Sequence, residues 1–386
     1  MKLVVIGYGS RMRHVIKEMQ RYDSSVEIIA ITDIRNEEIK NQLASEGVDT
    51  DKIVFFENTD EMLDTTNYDG VCIGTRCSLH AHNAIKVISR GVPLYLEKPV
   101  ATNMEDLIKL RDAYEKSDKA ENNVVVSFPL RVTPLIDVVK DIVDCGKIGT
   151  IEHVQAYNNV PYGGVYFHNW YRDESETGGL FLQKAIHDFD YINYILGIKP
   201  VRICAMTSKQ IFKGDKPANL MCKECDEQET CFESPKNLER LAFEKPTGPY
   251  CSFAVDVCNE DSGSALIEYK TGMHVSYSQN FFARKKAATR GARFFGYKGT
   301  VEFDWYDDEV RVYMHHTPRV ETYKFDSLKI SHGGGDAVLS SNFVKVMKGE
   351  ENSVAPLSAG ILSALMCLKA KESAITKTFQ EIVWPD

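Results

Sequence analysis

The chain has 386 residues and a formal net charge of −9, longer than one hydrophobic core usually serves, so two domains are expected. Its 43% hydrophobic and 26% charged residues are an ordinary globular composition, and no basic patch marks a nucleic-acid binder. No apolar run reaches the length of a membrane span, and Gly7 cuts the opening run Leu3-Val4-Val5-Ile6 too short for a secretion signal, so a cytoplasmic protein is expected.

Residues 2–6 form an apolar run suited to a strand buried on both faces. A helix is predicted from Ser10 to Arg21, then a strand over 26–32, a helix from Asn36 to about Glu46, and a strand over 53–56. A helix around 60–63, a strand at 70–74, a helix near 82–89 and a strand at 93–96 follow. Strands alternating with helices at this spacing predict a doubly wound parallel sheet.

The first turn carries Gly7-Tyr8-Gly9 between strand and helix. Glycine permits the tight turn and lets backbone approach a pyrophosphate seated on the helix N-terminus. The third fingerprint glycine belongs at position 12, where Met12 stands, and this departure is expected to loosen or shift the packing of the helix on the strand. Asp33 ends the second strand, 24 residues after Gly9, where an acid bonds the ribose hydroxyls and repels a 2′-phosphate. That favours NAD. Arg11 and Arg35 could hold a phosphate, so NADP stays open, and Asp33 could instead cap the next helix. Ser10, Thr75, Arg76 and His80 complete the candidate cofactor residues on this edge.

The strand at 93–96 runs into Glu97-Lys98-Pro99. A lysine at the carboxyl edge of a parallel sheet stands beside a nicotinamide crevice, where it can hydrogen-bond a substrate hydroxyl. Pro99 invites a cis bond. The tripeptide recurs at Glu244-Lys245-Pro246, but in a Pro/Gly-rich loop without a buried strand, and reads as coincidence. The basic run Arg284-Lys285-Lys286 reads as solvated loop.

Taken together, Gly7-Tyr8-Gly9, Asp33, Thr75-Arg76 through His80, Glu97-Lys98-Pro99, Ser127 to Arg131, Gly146-Lys147-Ile148-Gly149, Gly178-Gly179, His187-Asp188-Phe189-Asp190 and Leu196-Gly197 resemble the Gfo/Idh/MocA family of oxidoreductases. The family commonly has Thr-Pro where this chain has Thr75-Arg76. The resemblance implies an NAD(P)-dependent enzyme in which His187 takes a hydroxyl proton as hydride leaves the same carbon, with Lys98 polarising that oxygen. The amine, the imidazole and the nicotinamide are expected to meet at one substrate carbon.

Residues 177–197 read as a helix opening after Gly179 and ending near Gly197. On it Gln183, Lys184 and His187 share a stripe, with Asp190 three residues further. The family pattern has Asp four residues before the histidine; here it is Gln183, a weaker proton acceptor that can still orient a hydroxyl. Lys184 and Asp188 are candidates to share its role at the substrate, and Asp190 is expected to be structural.

A helix is predicted over Leu135–Cys145 and a strand over Ile151–Asn158. The loop from Pro161 to Glu176 offers Tyr162, His168 and Arg172 as sugar contacts, with packing as the other use of its aromatics and Trp170 leaning to packing. Residues 264–313 alternate as strands of an antiparallel sheet with one polar face, which the resemblance implies builds a homodimer or homotetramer. His332-Gly333-Gly334-Gly335-Asp336 opens the last helical region: His332 is a candidate substrate contact and Asp336 a candidate N-cap.

Of ten cysteines, too few over this length for a disulfide scaffold, three cluster as Cys222-x2-Cys225-x5-Cys231. With Cys258 or Cys251 as a fourth thiolate they could hold a structural zinc, or form a reduced loop without metal.

The expected architecture is α/β: a Rossmann domain over 1–126 and an α+β domain with a large open, mostly antiparallel sheet over 127–386, carrying a cysteine-containing insertion at 210–262. The expected activity is hydride transfer between a sugar, glycoside or inositol-like polyol and nicotinamide. The alternatives are a glycosidase that oxidises its substrate transiently and eliminates, and a non-catalytic NAD(P)-binding regulator.

Overall fold

A computed structural model describes residues 1–242, 244–327 and 331–384. The chain forms two compact units, each gathering separate stretches of sequence: 1–137 with 189–194 and 327–365, and 138–188 with 195–326 and 366–386.

The first unit holds six parallel strands, β1 (Lys2–Ile6), β2 (Glu27–Thr32), β3 (Val54–Phe56), β4 (Gly70–Ile73), β5 (Leu94–Leu96) and β6 (Val124–Val126), in the order β3-β2-β1-β4-β5-β6. That is the doubly wound order, with its crossover beside β1. Every residue of β4, β5 and β6 is buried, as parallel strands covered on both faces require. Helices α1 (Ser10–Tyr22), α2 (Asn36–Ser45), α3 (Thr59–Thr65), α4 (His80–Ile88), α5 (Met104–Glu115) and α6 (Ala120–Asn123) connect them. Helix α1 buries Met12, Val15, Ile16 and Met19, positions at i, i+3, i+4 and i+7 that form one apolar stripe.

Helix α7 (Pro134–Asp144) precedes the sheet of the second unit, which has nine strands: β7 (Ile151–Asn159), β8 (Pro200–Ser208), β9 (Ser262–Tyr269), β10 (His274–Asn280), β11 (Thr289–Gly296), β12 (Gly299–Asp304), β13 (Glu309–Met314), β14 (Val320–Lys324) and β15 (Gln380–Glu381). Their order is β14-β13-β12-β11-β7-β10-β9-β8-β15, antiparallel except where β7 lies parallel to β10. Short helices α8 (Val165–His168) and α9 (Glu174–Thr177) lead to α10 (Ile186–Leu196), and α11 (Pro235–Asn237) lies in the insertion. The insertion leaves β8 and returns into β9 at one place: Ser208 pairs with Ser262, and Asp261 Oδ2 accepts the amides of Gln210 (2.7 Å), Ile211 (2.5 Å) and Phe212 (3.1 Å). Phe212 and Val257 of the insertion join Val160, Phe167, Leu180 and Phe281 in one buried cluster.

Two late helices complete the chain. In the first unit α12 (Gly335–Lys348) packs on α1, and its Met347 side chain lies against Gly70. Helix α13 (Leu357–Thr376) follows. Among the described residues no helix is long and apolar enough to cross a membrane.

Candidate active site

The turn between β1 and α1 is built from backbone. Gly7 has φ 83°, and a Cβ there would stand 2.6 Å from the amide nitrogen of Thr75, so no other residue fits. Gly9 is the N-cap of α1 with no side-chain cap, and a Cβ on it would meet only Gly74 O at 3.9 Å. The first-turn amides are therefore left by side chains for a ligand, the arrangement that takes an anion. This fits a dinucleotide phosphate.

Met12 does not loosen the helix. It is fully buried, and the small residue has moved to the facing position: a Cβ on Gly74 would lie 2.9 Å from Met12 Cβ. Asp33 does not cap α2, whose N-cap is Arg35. Its Oδ2 accepts the amide of Tyr8 at 2.9 Å and its Oδ1 the amide of Arg35 at 2.9 Å. The carboxylate is thus fixed at the end of β2, and the exposed Arg35 side chain leans on it at 3.4 Å.

Past β5 the Lys98–Pro99 bond is cis. Pro99 O faces His80 Nδ1 at 2.8 Å, and Thr75 O faces His80 Nε2 at 3.2 Å. His80 is buried, so this candidate cofactor contact instead ties the loop after β4 to the loop after β5. Lys98 itself is half-buried, Ser10 and Arg76 are exposed, and Thr75 is half-buried.

Arg11 departs from expectation. Its guanidinium donates to Glu97 (3.0 Å), Asp336 (2.6 and 2.9 Å) and Ser127 (3.1 Å). Arg11 and Glu97 are a scaffold linking α1, β5 and α12, and the guanidinium is already spoken for before any phosphate arrives. Asp336 is not the N-cap of α12; Gly334 is. Asp336 also accepts from Ser331 (2.7 Å) and pairs with His332 Nδ1 (2.8 Å). Burial raises its carboxyl pKa, but the bonds from His332 and Arg11 outweigh that and hold it well below the usual range. His332, expected at the substrate, has this nitrogen on Asp336, in a left-handed backbone conformation with φ 46°.

In the second unit the segment expected as one α-helix opens with a π-helical turn, Phe181–Ala185, before α10. Such turns cluster at functional sites. Every residue from Phe181 to Asp190 is buried, so the polar residues there do not mark a solvated face. Gln183 donates through Nε2 to Thr177 O at 2.9 Å. Lys184 donates to Tyr162 Oη and sits 4.3 Å from the Tyr162 ring centroid and 5.6 Å from that of Tyr166. His187 is 8% exposed.

Asp188 was expected at the substrate. It is fully buried and accepts from Asn158 (2.9 Å), Tyr277 (2.8 Å) and Arg290 (2.8 Å). It pins the first turn of α10 to the sheet and so orients its neighbour His187. In the first unit Asp190 accepts both arms of Arg131 at 2.8 and 2.9 Å; burial pushes its carboxyl up to about 6 against the pull of that guanidinium. The two form a buried ion pair.

Two loop residues are corrected. His168 is buried, with Nδ1 on Tyr250 O (2.7 Å) and Nε2 facing Glu233 (3.3 Å). Arg172 is buried against Asp256 and 5.3 Å from the Tyr250 ring centroid. Both are buried with their partners in the insertion. Trp170 stacks on Tyr171 at 3.9 Å. Tyr162 is 47% exposed and lines a cavity of about 650 Å³ with Thr247, Arg284 and residues near Glu244, segments that the sequence alone did not mark as site.

The zinc expectation finds no support. Among the described residues no group of three or more His, Cys, Asp or Glu could hold a metal ion. Cys258 is exposed, its thiol on Asp256 O at 3.6 Å. Cys251 is the fourth thiol whose field reaches Cys222, which burial first, then the neighbouring sulfurs, push up to about 11.

Comparison with known proteins bears on the fold and the family. The family model described as "Oxidoreductase family, NAD-binding Rossmann fold" matches residues 1–125, and the "GFO/IDH/MocA C-terminal domain" matches 136–302. The rhizopine catabolism protein MocA of Rhizobium meliloti is 26% identical over 228 residues, 57% of this chain and 67% of that protein. The myo-inositol 2-dehydrogenase of Thermotoga maritima is 24% identical over 199 residues, 51% of this chain and 55% of that enzyme. A levoglucosan dehydrogenase solved with NADH and levoglucosan shares the fold, with a TM-score of 0.76 at 18% identity over 99% of both chains.

Proposed function

Because this chain belongs to the Gfo/Idh/MocA family of NAD-binding oxidoreductases, we propose that it transfers hydride between a carbinol carbon of a sugar or inositol-like polyol and NAD. The observation that carries the cofactor half is the uncapped N-terminus of α1 behind Gly9, with Asp33 fixed beside it. The Asp33 carboxylate repels a 2′-phosphate, which favours NAD over NADP. The substrate class is supported by the inositol and levoglucosan dehydrogenases among the similar proteins.

NAD, when bound, supplies the hydride acceptor. Lys98 holds the reacting hydroxyl by hydrogen bond, and His187 takes its proton. Gln183 replaces the family's aspartate; its amide, tied to Thr177 O, orients and does not ionise. Asp188, held by Arg290, Tyr277 and Asn158, keeps the helix turn that presents His187 in place.

Screening sugars, glycosides and inositols for reduction of NAD and of NADP, with Lys98→Met as the control, tests this. Turnover on at least one polyol, reduced about 10³-fold or more in Lys98→Met, is expected from the loss of the group that polarises the oxygen. Glycoside cleavage without net NADH would replace it with the transient-oxidation reading. Tight NAD binding without turnover on any polyol would replace it with a regulator.

We also infer a homo-oligomer through the nine-stranded sheet, supported by Met206 and Leu266, exposed on the adjacent strands β8 and β9. Light scattering checks it, and a monomer at micromolar concentration would sink it. A cytoplasmic location is part of the same reading.

A further inference from the structure

The cavity of about 650 Å³ in the second unit lies within the size range of small-molecule sites, about 300–1,000 Å³. The insertion contributes Glu244, Lys245 and Thr247 to its lining, and Pro161, Tyr162, Arg284 and Lys285 complete it.

The walls are braced. Arg284 donates to Glu233 at 2.8 and 2.9 Å and to Glu244 at 2.9 Å, and Glu233 faces His168. These carboxylates neutralise Arg284, so Lys245 and Lys285 tip the rim to net positive in a chain whose overall charge is −9. Lys285 sits at φ 52°, a conformation costly for a side-chain-bearing residue and frequent at ligand clamps. Thr247 Oγ1 is buried with no hydrogen-bond partner among the described residues, and a Cβ on Gly164 would stand 3.2 Å from it.

The cavity connects to the reacting end of the unit through one side chain. Tyr162 lines it and accepts the hydrogen bond of Lys184, three residues before His187.

We propose that this cavity is a substrate subsite, built by the insertion, for a carboxylate-bearing sugar ring attached to the ring that is oxidised. Tyr162 and Pro161 give the apolar walls that a sugar's C–H face packs against, and Lys245 and Lys285 take the carboxylate. The substrate is then an oligosaccharide or glycoside containing a uronic acid, larger than a free monosaccharide or inositol. This rests on the sugar dehydrogenase reading above and names its substrate class more narrowly.

The test uses the whole protein saturated with NAD. Calorimetric titration compares cellobiose, lactose and maltose with the same disaccharides carrying the distal ring as uronate. For at least one pair the uronate form is expected to bind about tenfold tighter or more, as charge-assisted bonds to two ammonium groups allow. The preference is expected to fall by about tenfold in Lys245→Gln/Lys285→Gln and with rising salt in the unaltered protein, and to survive in Lys52→Gln, an exposed lysine of the first unit. Absence of preference in every pair, or a preference that persists in the double variant and in high salt, overturns the subsite. NADH formation on polyols is scored separately: uronate preference without any NADH sinks the dehydrogenase reading and leaves the subsite, while NADH without preference does the reverse.

Discussion

The two units build their sites from different material. In the first, the proposed cofactor seat is mainly backbone, the Gly7–Gly9 turn and the open end of α1, with Asp33 and Lys98 as its charged side chains. Arg11, Glu97, Asp336 and His332 are turned on one another. In the second, side chains are the surface, and Asp188, His168 and Arg172 are spent on holding the others in place. A polar residue near a site is therefore weak evidence of contact with ligand, because a precise site needs more bracing than touching.

The largest effect that could break this contrast is at Asp188. Asp188→Ala leaves Arg290 without its buried partner and is expected to cost about 3–5 kcal/mol in chemical denaturation. Unchanged stability with a raised KM would return Asp188 to the substrate. Next is Gly7→Ala, where positive φ and the 2.6 Å approach to Thr75 combine to cost about 2–3 kcal/mol; NADH fluorescence titration is expected to show cofactor binding lost as well. Full affinity would mean that the turn does not hold NAD.

The facing pair sharpens the comparison further. Gly74→Ala is expected to cost about 1–3 kcal/mol by overpacking against Met12, read in chemical denaturation. If the variant keeps full stability, the close approach of positions 12 and 74 is not what packs α1. His168→Gln is expected to lower stability by about 1–2 kcal/mol while KM for a small neutral polyol moves less than about twofold, since His168 braces the insertion; a selective rise in KM would contradict that.

The smallest effect is in the pH dependence of stability. The Asp336 carboxyl is depressed in the folded state, so its stabilisation is present above the unfolded value near 3.8 and is lost as pH falls toward the folded one. Asp336→Asn is expected to flatten the acid limb below about pH 4 by roughly 1–2 kcal/mol, measured as melting temperature against pH. An unaltered limb would place the acid sensitivity elsewhere.

What was legible in the sequence follows the same division. Strands β1, β2 and β4 and the glycine turn could be read because backbone requirements leave few residue choices: only glycine fits at position 7. Strand β6 is three valines and β14 exposes alternate residues, too short or too polar to stand out from loop. The π turn at Phe181–Ala185 was invisible, since its side-chain pattern passes for α-helix. The partners of Asp188 lie 30, 89 and 102 residues away, and no local spacing announces them. Lys245 and Arg284, set aside as a stray motif and a loop, line the cavity because strand topology brings their segments together.

The insertion's single point of departure and return has an evolutionary consequence. Because Ser208 and Ser262 are already partners in the sheet, the excursion between them can change length at little entropic cost, only about 0.6 kcal/mol per doubling of length. What evolution cannot vary freely there is the pair Phe212 and Val257, which fill the core beneath it: the outer part of the excursion is open to change, while its two apolar anchors must be kept or replaced in kind.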